Sequence, residues 1–329
     1  MQSLVSVDQL EVHFAVRTGF MQSMFGKETP VVRAVDGVSF ELGKGEILCL
    51  AGESGSGKTT TGKAILRLVE PTGGKVLYEG EDVRSYNRLR LRAFRQEAQI
   101  IFQDPYESLN PRQTVFSTVA EPLEVNNLCR SLAEKEERVA QALVDAGLHN
   151  PRELFLRYPH ELSGGQRQRL AIAGALVLDP KFIVADEPVS MLDLSIRAGI
   201  LKLMVDLRDK KGIGYLFITH DLSLAWLVSD RIAIMYLGKI VELGSADKVI
   251  KEPLHPYTRA LVSVIPTPRR KVITQQSLLK GETPDPVNVP AGCRFHPRCP
   301  EAKPRCREAV PLYREVRPGH FAACHLLDS

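Results

Sequence analysis

The sequence predicts an α/β fold with a phosphate-binding core, followed by a small C-terminal domain that contains cysteine. Three observations predict it. The stretch "GEILCLAGESGSGKTTTGKAILRLV" at residues 45–69 has the order strand, glycine-rich loop, helix. The stretch "KFIVADEP" at residues 181–188 is an apolar run that ends in two carboxylates. Four of the six cysteines lie within residues 293–324.

Composition limits the classes of protein that need consideration. The chain has 329 residues, of which 44% are hydrophobic and 25% are charged, so it is long enough for one large or two medium domains. The net charge of +4 neither requires nor excludes a nucleic-acid partner. The beginning "MQSLVSVDQLEVHF" does not have the pattern of an export signal, and no apolar run approaches the roughly 18 residues of a membrane span. We therefore expect a cytoplasmic protein.

The first glycine-rich stretch predicts a phosphate loop. Residues 47–50 are expected to form a buried strand, and Ala64, Ile65 and Leu68 are expected on one face of the following helix. The intervening glycines allow successive N–H groups to point at phosphate oxygens, and the helix N-terminus adds its partial positive charge. Lys58 is expected to reach the β- and γ-phosphates, and Thr59 to bind Mg²⁺.

The apolar run at 182–185 predicts a central strand with Asp186 and Glu187 at its carboxyl end. Asp186 suits the Mg²⁺ shell, and Glu187 suits a base that orients the attacking water. An acidic pair after a strand is also typical of a simple turn. Only together with the phosphate loop does the pair indicate a catalytic site.

A second glycine-rich site is predicted in "HELSGGQRQRLAIAGALVLDP" at residues 160–180. Ser163 is a good helix N-cap, so Gly164 and Gly165 occupy the first turn, where each glycine costs up to about 1 kcal/mol against alanine. The apolar helical face comprises Leu170, Ala171, Ala175, Leu176 and Val177. Two bare N–H groups and a hydroxyl at a helix start indicate a second anion site.

With these motifs, the chain resembles the ATP-binding-cassette ATPases. "GESGSGKTT", "IIFQDP", "LSGGQRQR", "FIVADEP" and "ITHD" occur in that order and cover nearly the whole chain. The resemblance implies an ABC-type nucleotide-binding domain over residues 1–250, with a mixed sheet and a helical subdomain at about 105–178. It also implies that the signature of one subunit, residues Ser163, Gly164, Gly165 and Gln166, closes on the ATP of another.

The same resemblance implies individual roles. The nucleotide-binding residues would be Gly52, Glu53, Ser54, Gly55, Ser56, Gly57, Lys58, Thr59 and Thr60. Gln103 matches the glutamine that contacts Mg²⁺ and water, His220 the histidine that senses the γ-phosphate, and Asp193 the loop aspartate that faces the partner subunit. Phe14, at the end of the first apolar strand, is a candidate for stacking on adenine or for the core. Val189, Met191 and Gly174 depart from the family pattern, which usually has threonine, alanine and arginine there.

A closer resemblance is to the ATPase subunits of dipeptide and oligopeptide importers. It is carried by "FQDPYESLNPR", "ELSGGQRQRLAIAGAL", "HPYTRALVSVIPTPRR" at 255–270 and the cysteine tail. It implies two permease subunits, a second ATPase subunit and an extracytoplasmic solute-binding protein, with this chain on the inner face of the membrane. The segment "AVRTGFMQSMFGKETP" favours a heterodimer over a homodimer. Importers of oligosaccharides or nickel, and an ATP-binding regulatory protein, are the alternatives.

The cysteine tail predicts a metal site in a C-terminal domain at 251–329. Cys293, Cys299, Cys306 and Cys324 are separated by five, six and seventeen residues, wider than the usual zinc pairs, so spacing alone leaves ligated and unligated thiols open. His296, His320 and His325 are alternative ligands. The importer resemblance implies a [4Fe–4S] cluster, with Zn²⁺ as the alternative, and a structural role. Cys49 and Cys129 are expected only to pack.

Arginines at 84, 88, 90, 92 and 95 form the other cluster of note. Without interleaved aromatic residues, a solvated helix face explains them better than a nucleic-acid interface. The interval between the phosphate loop and the carboxylate pair contains only a small helical segment, with a capping box predicted at Ser131 and Glu134. It has no room for the coiled-coil arms of DNA-repair members, so we expect no nucleic-acid partner.

Overall fold

The computed structural model describes residues 3–16, 30–104, 108–265, 281 and 284–328. Their strands are β1 (Ser3–Ala15), β2 (Val31–Gly43), β3 (Ile47–Ala51), β4 (Gly73–Tyr78), β5 (Glu81–Asp82), β6 (Ala98–Ile101), β7 (Phe182–Asp186), β8 (Gly214–Thr219), β9 (Arg231–Tyr236), β10 (Lys239–Ser245), β11 (Arg314–Arg317) and β12 (His320–Ala322).

The helices of the described residues are α1 (Lys58–Ile65), α2 (Arg88–Glu97), α3 (Val115–Asn126), α4 (Leu132–Asp145), α5 (Pro151–Leu154), α6 (Gly164–Leu176), α7 (Leu194–Lys211), α8 (Leu222–Val228), α9 (Ala246–Lys251), α10 (Pro256–Ser263) and α11 (Arg305–Glu308). No helix in this part of the chain is long and apolar enough to cross a membrane.

The chain divides into two compact units. The first contains residues 43–46 and 86–217 together with the start of the chain up to Leu4, and the second contains residues 5–42, 47–85 and the chain from 218 onward. The cysteine tail therefore belongs to the same unit as the phosphate loop. The predicted domain boundary at residue 250 stays a prediction.

The first unit is built on parallel strands and helices. β6 pairs in parallel with β7, with Ala98 opposite Phe182 and Ile101 opposite Ala185. β8 lies on the other side of β7 in the strand order, and the chain passes into the second unit within β8. All residues of β7 and β8 are buried, as their continuous apolar sequences predict for strands covered on both faces. The strand predicted at 182–185 is confirmed.

The helices of the first unit include the segment predicted to be helical. In α4, Ser131 is the N-cap and its hydroxyl accepts the Glu134 N–H at 3.2 Å. The reciprocal half of the predicted capping box is wrong, because the Glu134 carboxylate accepts the N–H of Arg130 at 2.8 Å and not that of Ser131. Arg88, Arg92 and Arg95 of α2 are exposed, as a solvated helix face requires.

The second unit contains antiparallel and mixed sheet. One sheet has the strand order β2-β1-β4-β5, and the other strands of this unit follow the order β11-β12-β10-β9-β3. β3 pairs with β9 in parallel, whereas the pairs β9–β10, β10–β12 and β12–β11 are antiparallel, which makes the sheet mixed. β3 is fully buried, which confirms the strand predicted at 47–50. The phosphate loop follows β3 directly in the chain.

The helix after the loop is shorter than expected. α1 ends at Ile65, and Arg67 adopts a left-handed conformation with φ 50°. The N–H of Leu68 then donates to the carbonyl of Lys63 at 2.8 Å, which closes the helix end. Leu68 lies beyond the helix and is 46% exposed, so its predicted place on the apolar face is wrong.

Candidate functional site

The glycine-rich loop after β3 has the backbone that its glycines predict. Gly52, Gly55 and Gly57 have φ values of 154°, 76° and 105°, all in the region that side chains rarely enter. A Cβ on Gly52 would overlap the carbonyl oxygen of Met235, and one on Gly57 would overlap that of Ala34. The two outer glycines are therefore required by close backbone contacts, and the middle one by its conformation.

Lys58 lies inside this loop and is buried. Its ammonium donates to the carbonyl oxygens of Gly52 at 2.9 Å and Glu53 at 2.8 Å, and to the hydroxyl of Ser56 at 3.3 Å. Thr59 and Thr60 are half-buried in the first turn of α1, and Ser54 is exposed at the tip of the loop. The loop thus holds a cation beside a helix N-terminus, the arrangement that favours phosphate.

Two polar groups meet at the carboxyl end of β7. Asp186 is buried, and Glu187 follows it with φ 46°. The amide of Gln103, two residues after β6, donates to the Glu187 carboxylate at 3.2 Å. A non-glycine residue held at positive φ costs about 1–3 kcal/mol and persists where the surroundings impose it, commonly at functional sites. The structure thus brings together two of the predicted residues.

The second glycine-rich site is the start of α6. The Ser163 hydroxyl accepts the Gln166 N–H at 3.3 Å, and the Gln166 side chain accepts the Ser163 N–H at 3.0 Å, which is a full capping box. A Cβ on Gly165 would lie 2.8 Å from the Ile196 side chain, whereas one on Gly164 would meet only Leu192 at 4.0 Å. Close packing therefore explains Gly165, and it does not explain Gly164.

Asp193 occupies the N-cap position of α7 and is exposed, yet its side chain makes no capping hydrogen bond. Arg197 braces the preceding loop from within α7, because it donates to the carbonyls of Leu192 at 2.7 Å and Ser190 at 3.1 Å. Sequence reasoning missed Arg197. In the same loop Val189 is buried and Met191 is 61% exposed.

Two further predicted side chains, His220 and Phe14, are found near strand ends. His220 is exposed directly after β8. Phe14, near the end of β1, is 42% exposed, which places it outside the core and leaves stacking on adenine as a prediction. Cys49 is fully buried in β3 as expected, and burial raises the pKa of its thiol. Cys129 is half-buried.

The cysteine tail brings its thiols into one neighbourhood. Burial and, to a smaller extent, the nearby thiols of Cys293, Cys299 and Cys306 raise the pKa of Cys324 to about 11. Each sulfur also accepts at least one backbone N–H: from Phe295 and His296, from Glu301, from Lys303, and from Leu326. N–H groups directed at sulfur stabilise thiolates, which are the form that binds metals.

The tail is nevertheless not arranged as a closed metal site. Within the described ranges, no three side chains of His, Cys, Asp or Glu have the geometry to hold a metal ion. His320 is committed to Glu242, with 2.8 Å between its Nε2 and a carboxylate oxygen, and the ring of His325 contacts Asp328 and the carbonyl of Ala309. His296 contacts the carbonyl of Cys293. The metal site stays a prediction.

Two residues of the C-terminal region contact the phosphate loop, and sequence reasoning missed both. The Arg298 guanidinium donates to both carboxylate oxygens of Glu53, at 2.6 and 3.0 Å. The Tyr257 hydroxyl accepts the Glu53 N–H at 2.9 Å. Arg298 lies next to Cys299, and Tyr257 lies in the "HPY" stretch, but nothing in the sequence connects either to residue 53.

Comparison with known proteins gives matches along most of the chain. Residues 35–190 match the family described as ABC transporter, and residues 241–306 match the family described as oligopeptide/dipeptide transporter, C-terminal region. The oligopeptide transport ATP-binding protein AppF of Bacillus subtilis is 46% identical over 328 residues, which cover 99% of this chain and 98% of AppF.

Solved structures give the same fold. The protein cbiO1 of Clostridium perfringens, part of the ABC transporter complex cbiONQ, is 27% identical with a TM-score of 0.64, and the match covers 77% of this chain and 92% of cbiO1. An ATP-binding cassette solved as a dimer in a post-hydrolysis state, bound to ADP and Pi, is 28% identical with a TM-score of 0.63, and the match covers 74% of this chain and 98% of that one.

Proposed function

Because this chain belongs to the ABC transporter ATP-binding proteins of the oligopeptide and dipeptide importer type, we propose that its two glycine-rich sites and its carboxylate pair are parts of a shared ATP-hydrolysis site. Membership of the family makes the chain the ATP-hydrolysing subunit of a peptide importer. The observation that carries the site proposal is the phosphate loop, where buried Lys58 and three positive-φ glycines surround the N-terminus of α1.

In this proposal the loop holds the nucleotide phosphates. Lys58 leaves its three loop oxygens and pairs with the β- and γ-phosphates, while loop N–H groups donate to phosphate oxygens. Thr59, Gln103 and Asp186 provide oxygen ligands for Mg²⁺, which prefers such ligands. Phe14, exposed at the end of β1, is proposed to stack on adenine.

Glu187 is proposed to orient and polarise the attacking water, with Gln103 and His220 as its companions at the γ-phosphate. The hydrogen bond from Gln103 to Glu187 supports this role, because it holds the carboxylate at the carboxyl end of β7. His220 is exposed after its strand and thus accessible to a nucleotide.

The start of α6 is proposed to act on the ATP held by a second subunit. Gly164 supports this, because no packing contact among the described residues requires a glycine there. A phosphate between two helix N-termini would use N–H groups from both subunits. Asp193, exposed and without a capping bond, is proposed to contact the partner in the same interface. The dimeric relative bound to ADP and Pi is a precedent for such an assembly.

The assembly proposed is a peptide importer with two ATPase subunits beneath two permeases, supplied by an extracytoplasmic solute-binding protein. The partner ATPase is proposed to be a paralogue. The segment that favours a heterodimer lies mostly outside the described residues, as do residues 105–107 of "FQDPYESLNPR" and the end of the 255–270 stretch. The chain is proposed to act on the inner face of the membrane. There the two ATPase subunits close on ATP, and this closure moves the permeases.

The four tail cysteines are proposed to hold a [4Fe–4S] cluster, with Zn²⁺ as the alternative. The donor set fits, because four thiols share one electrostatic neighbourhood and each receives a backbone N–H. Such a group would cross-link the four cysteines and thereby stabilise the tail, which has little regular secondary structure. The thiols would have to move into ligand geometry as the group binds.

Replacement of the proposed base tests the site. Glu187→Gln should retain ATP binding and accumulate an ATP-bound dimer, while hydrolysis falls about 10²-fold or more, because the amide cannot accept a proton from water. Hydrolysis should be measured in the complex with the permeases, and ATP binding on the purified chain. Glu41→Gln, a change at an exposed glutamate of β2, is the matched control and should leave turnover unaltered. Wild-type turnover by Glu187→Gln would refute the assignment.

A further inference from the structure

The C-terminal region contacts the phosphate loop at Glu53. Its carboxylate accepts two hydrogen bonds from Arg298, its N–H donates to the Tyr257 hydroxyl, and its carbonyl accepts the Lys58 ammonium. The side chains of Arg298 and Glu53 are only 6% and 26% exposed. A bidentate pair this well buried constrains both distance and orientation.

Arg298 is itself held by a rigid aromatic cluster. Tyr236, Tyr257 and Phe295 have ring centroids 4.7 to 5.3 Å apart. The Arg298 guanidinium lies 5.9 Å from the centroid of the Tyr236 ring. Phe295, which lies between Cys293 and Cys299 in the sequence, is buried. Arg298 therefore lies beside an aromatic cluster to which β9, α10 and the cysteine segment each contribute one ring.

Charge adds a second reason for the contact. Glu53 is an acidic residue within a loop that, in the proposed function, surrounds the phosphates of ATP. An uncompensated carboxylate there would repel the nucleotide in a partly dehydrated site. Arg298 compensates this charge, because its guanidinium donates to both oxygens of the carboxylate.

We infer that Arg298 and Tyr257 are positioning residues for ATP, through which the cysteine-containing C-terminal region sets the geometry and charge of the phosphate loop. This inference rests on the proposed ATP site and adds a regulatory connection to it. A change in the fold of the cysteine segment would alter nucleotide binding through the Arg298–Glu53 ion pair and the hydrogen bond between the Glu53 N–H and the Tyr257 hydroxyl. The reverse also holds, so ATP binding should alter the environment of residues 293–299.

The test measures nucleotide binding on the purified full-length chain and hydrolysis in its complex with the permeases. The affinities of Mg²⁺-ATP and of ADP are measured by calorimetry, and KM and kcat by hydrolysis, for wild type, Arg298→Gln, Arg298→Lys, Glu53→Gln and the double variant Glu53→Gln/Arg298→Gln. Arg294→Gln is the matched control, because it breaks another buried ion pair of the same segment, with Asp36, that does not contact the phosphate loop. The melting temperature of each variant reports on folding.

We expect Arg298→Gln to weaken nucleotide affinity and raise KM about tenfold or more, with kcat within about threefold, because loop geometry is lost and Glu53 keeps its charge. Arg298→Lys should lose less, since it retains charge without the bidentate geometry. The double variant should bind ATP better than Arg298→Gln, since the uncompensated carboxylate is gone. Arg294→Gln should lower the melting temperature and leave affinity within about twofold.

Two outcomes would overturn the inference. One is wild-type affinity in Arg298→Gln and Arg298→Lys, and the other is an equal loss of affinity in Arg294→Gln, which would indicate general loosening of the tail. Should Arg298→Gln fail to fold, Arg298→Lys and Glu53→Gln carry the same comparison. Failure of the wild-type chain to bind ATP, or of its complex with the permeases to hydrolyse ATP, would instead refute the proposed function, whatever the result for the variants.

Discussion

At the scale of single residues, Gly164 and Gly165 differ in what a side chain would meet. Both lie in the first turn of α6, where glycine costs up to about 1 kcal/mol against alanine. Residue 165 must be glycine because Ile196 packs where a Cβ of that residue would lie. A Cβ on Gly164 would instead lie 4.0 Å from Leu192, which is an ordinary packing distance. The two adjacent glycines are therefore explained differently: packing explains Gly165 and does not explain Gly164.

This difference predicts different results from two alanine variants. Gly165→Ala should destabilise the chain by about 1–3 kcal/mol, because the new methyl group overlaps Ile196. Gly164→Ala should leave stability unchanged or raise it by up to about 1 kcal/mol, yet lower ATP hydrolysis if a partner's ATP approaches this turn. Denaturant unfolding and ATPase assays measure both. Full ATPase activity in Gly164→Ala would contradict the role in trans.

At the scale of elements, α10 begins at a buried histidine. His255 is the N-cap, and its Nδ1 accepts the Tyr257 N–H at 3.0 Å, so the ring must be neutral there. Burial lowers the pKa of His255 to about 4, while Glu242 acts in the opposite direction and Arg259 in the same one. The Glu242 carboxylate accepts the N–H groups of Leu254 and His255, which joins α10 to β10.

The low pKa of His255 predicts a stability loss in acid. The folded pKa is below that of the unfolded chain, so the unfolded state binds more protons between pH 6.5 and 4, and stability falls as the pH is lowered through that range. The loss should approach about 3 kcal/mol near pH 4. His255→Asn keeps a capping acceptor without titrating, so its unfolding free energy should fall less between pH 7 and 4.5. Equal pH dependence would contradict the assignment.

The tail is the second element with a direct test. Anaerobic purification, an absorption spectrum near 400 nm and analysis of iron, sulfide and zinc give the metal content per chain. A [4Fe–4S] cluster predicts about four irons with matching sulfide, lost in Cys299→Ser and Cys306→Ser and retained in Cys129→Ser. One zinc per chain would favour the alternative, and no metal would reduce the tail to packed thiols.

At the scale of the whole molecule, the proposed site is complete only across two subunits. We predict that Glu187→Gln with ATP gives a stable dimer with a co-expressed paralogue, because Ser163, Gly164 and Gln166 of this chain then face the ATP that the paralogue holds. Native mass measurement of the co-expressed pair checks the composition. ADP should dissociate the dimer, since it lacks the γ-phosphate that both glycine-rich sites would bind. A stable, active homodimer at low protein concentration would contradict the preference for a paralogue.

Local patterns in the sequence predict the individual strands, the glycine-rich loop and the helix cap of this protein. Only the folded structure shows which distant residues contact one another. Buried strands β3 and β7, the loop glycines and the Ser163 cap follow from apolar runs, conformational freedom and side-chain length, which act over a few residues. The end of α1 before Leu68, the packing of Gly165 against Ile196 and the contacts from Arg298 and Tyr257 to Glu53 join residues whose proximity no local pattern encodes. Burial and charge pairing between distant segments depend on the folded chain as a whole, and that is why only the structure reveals them.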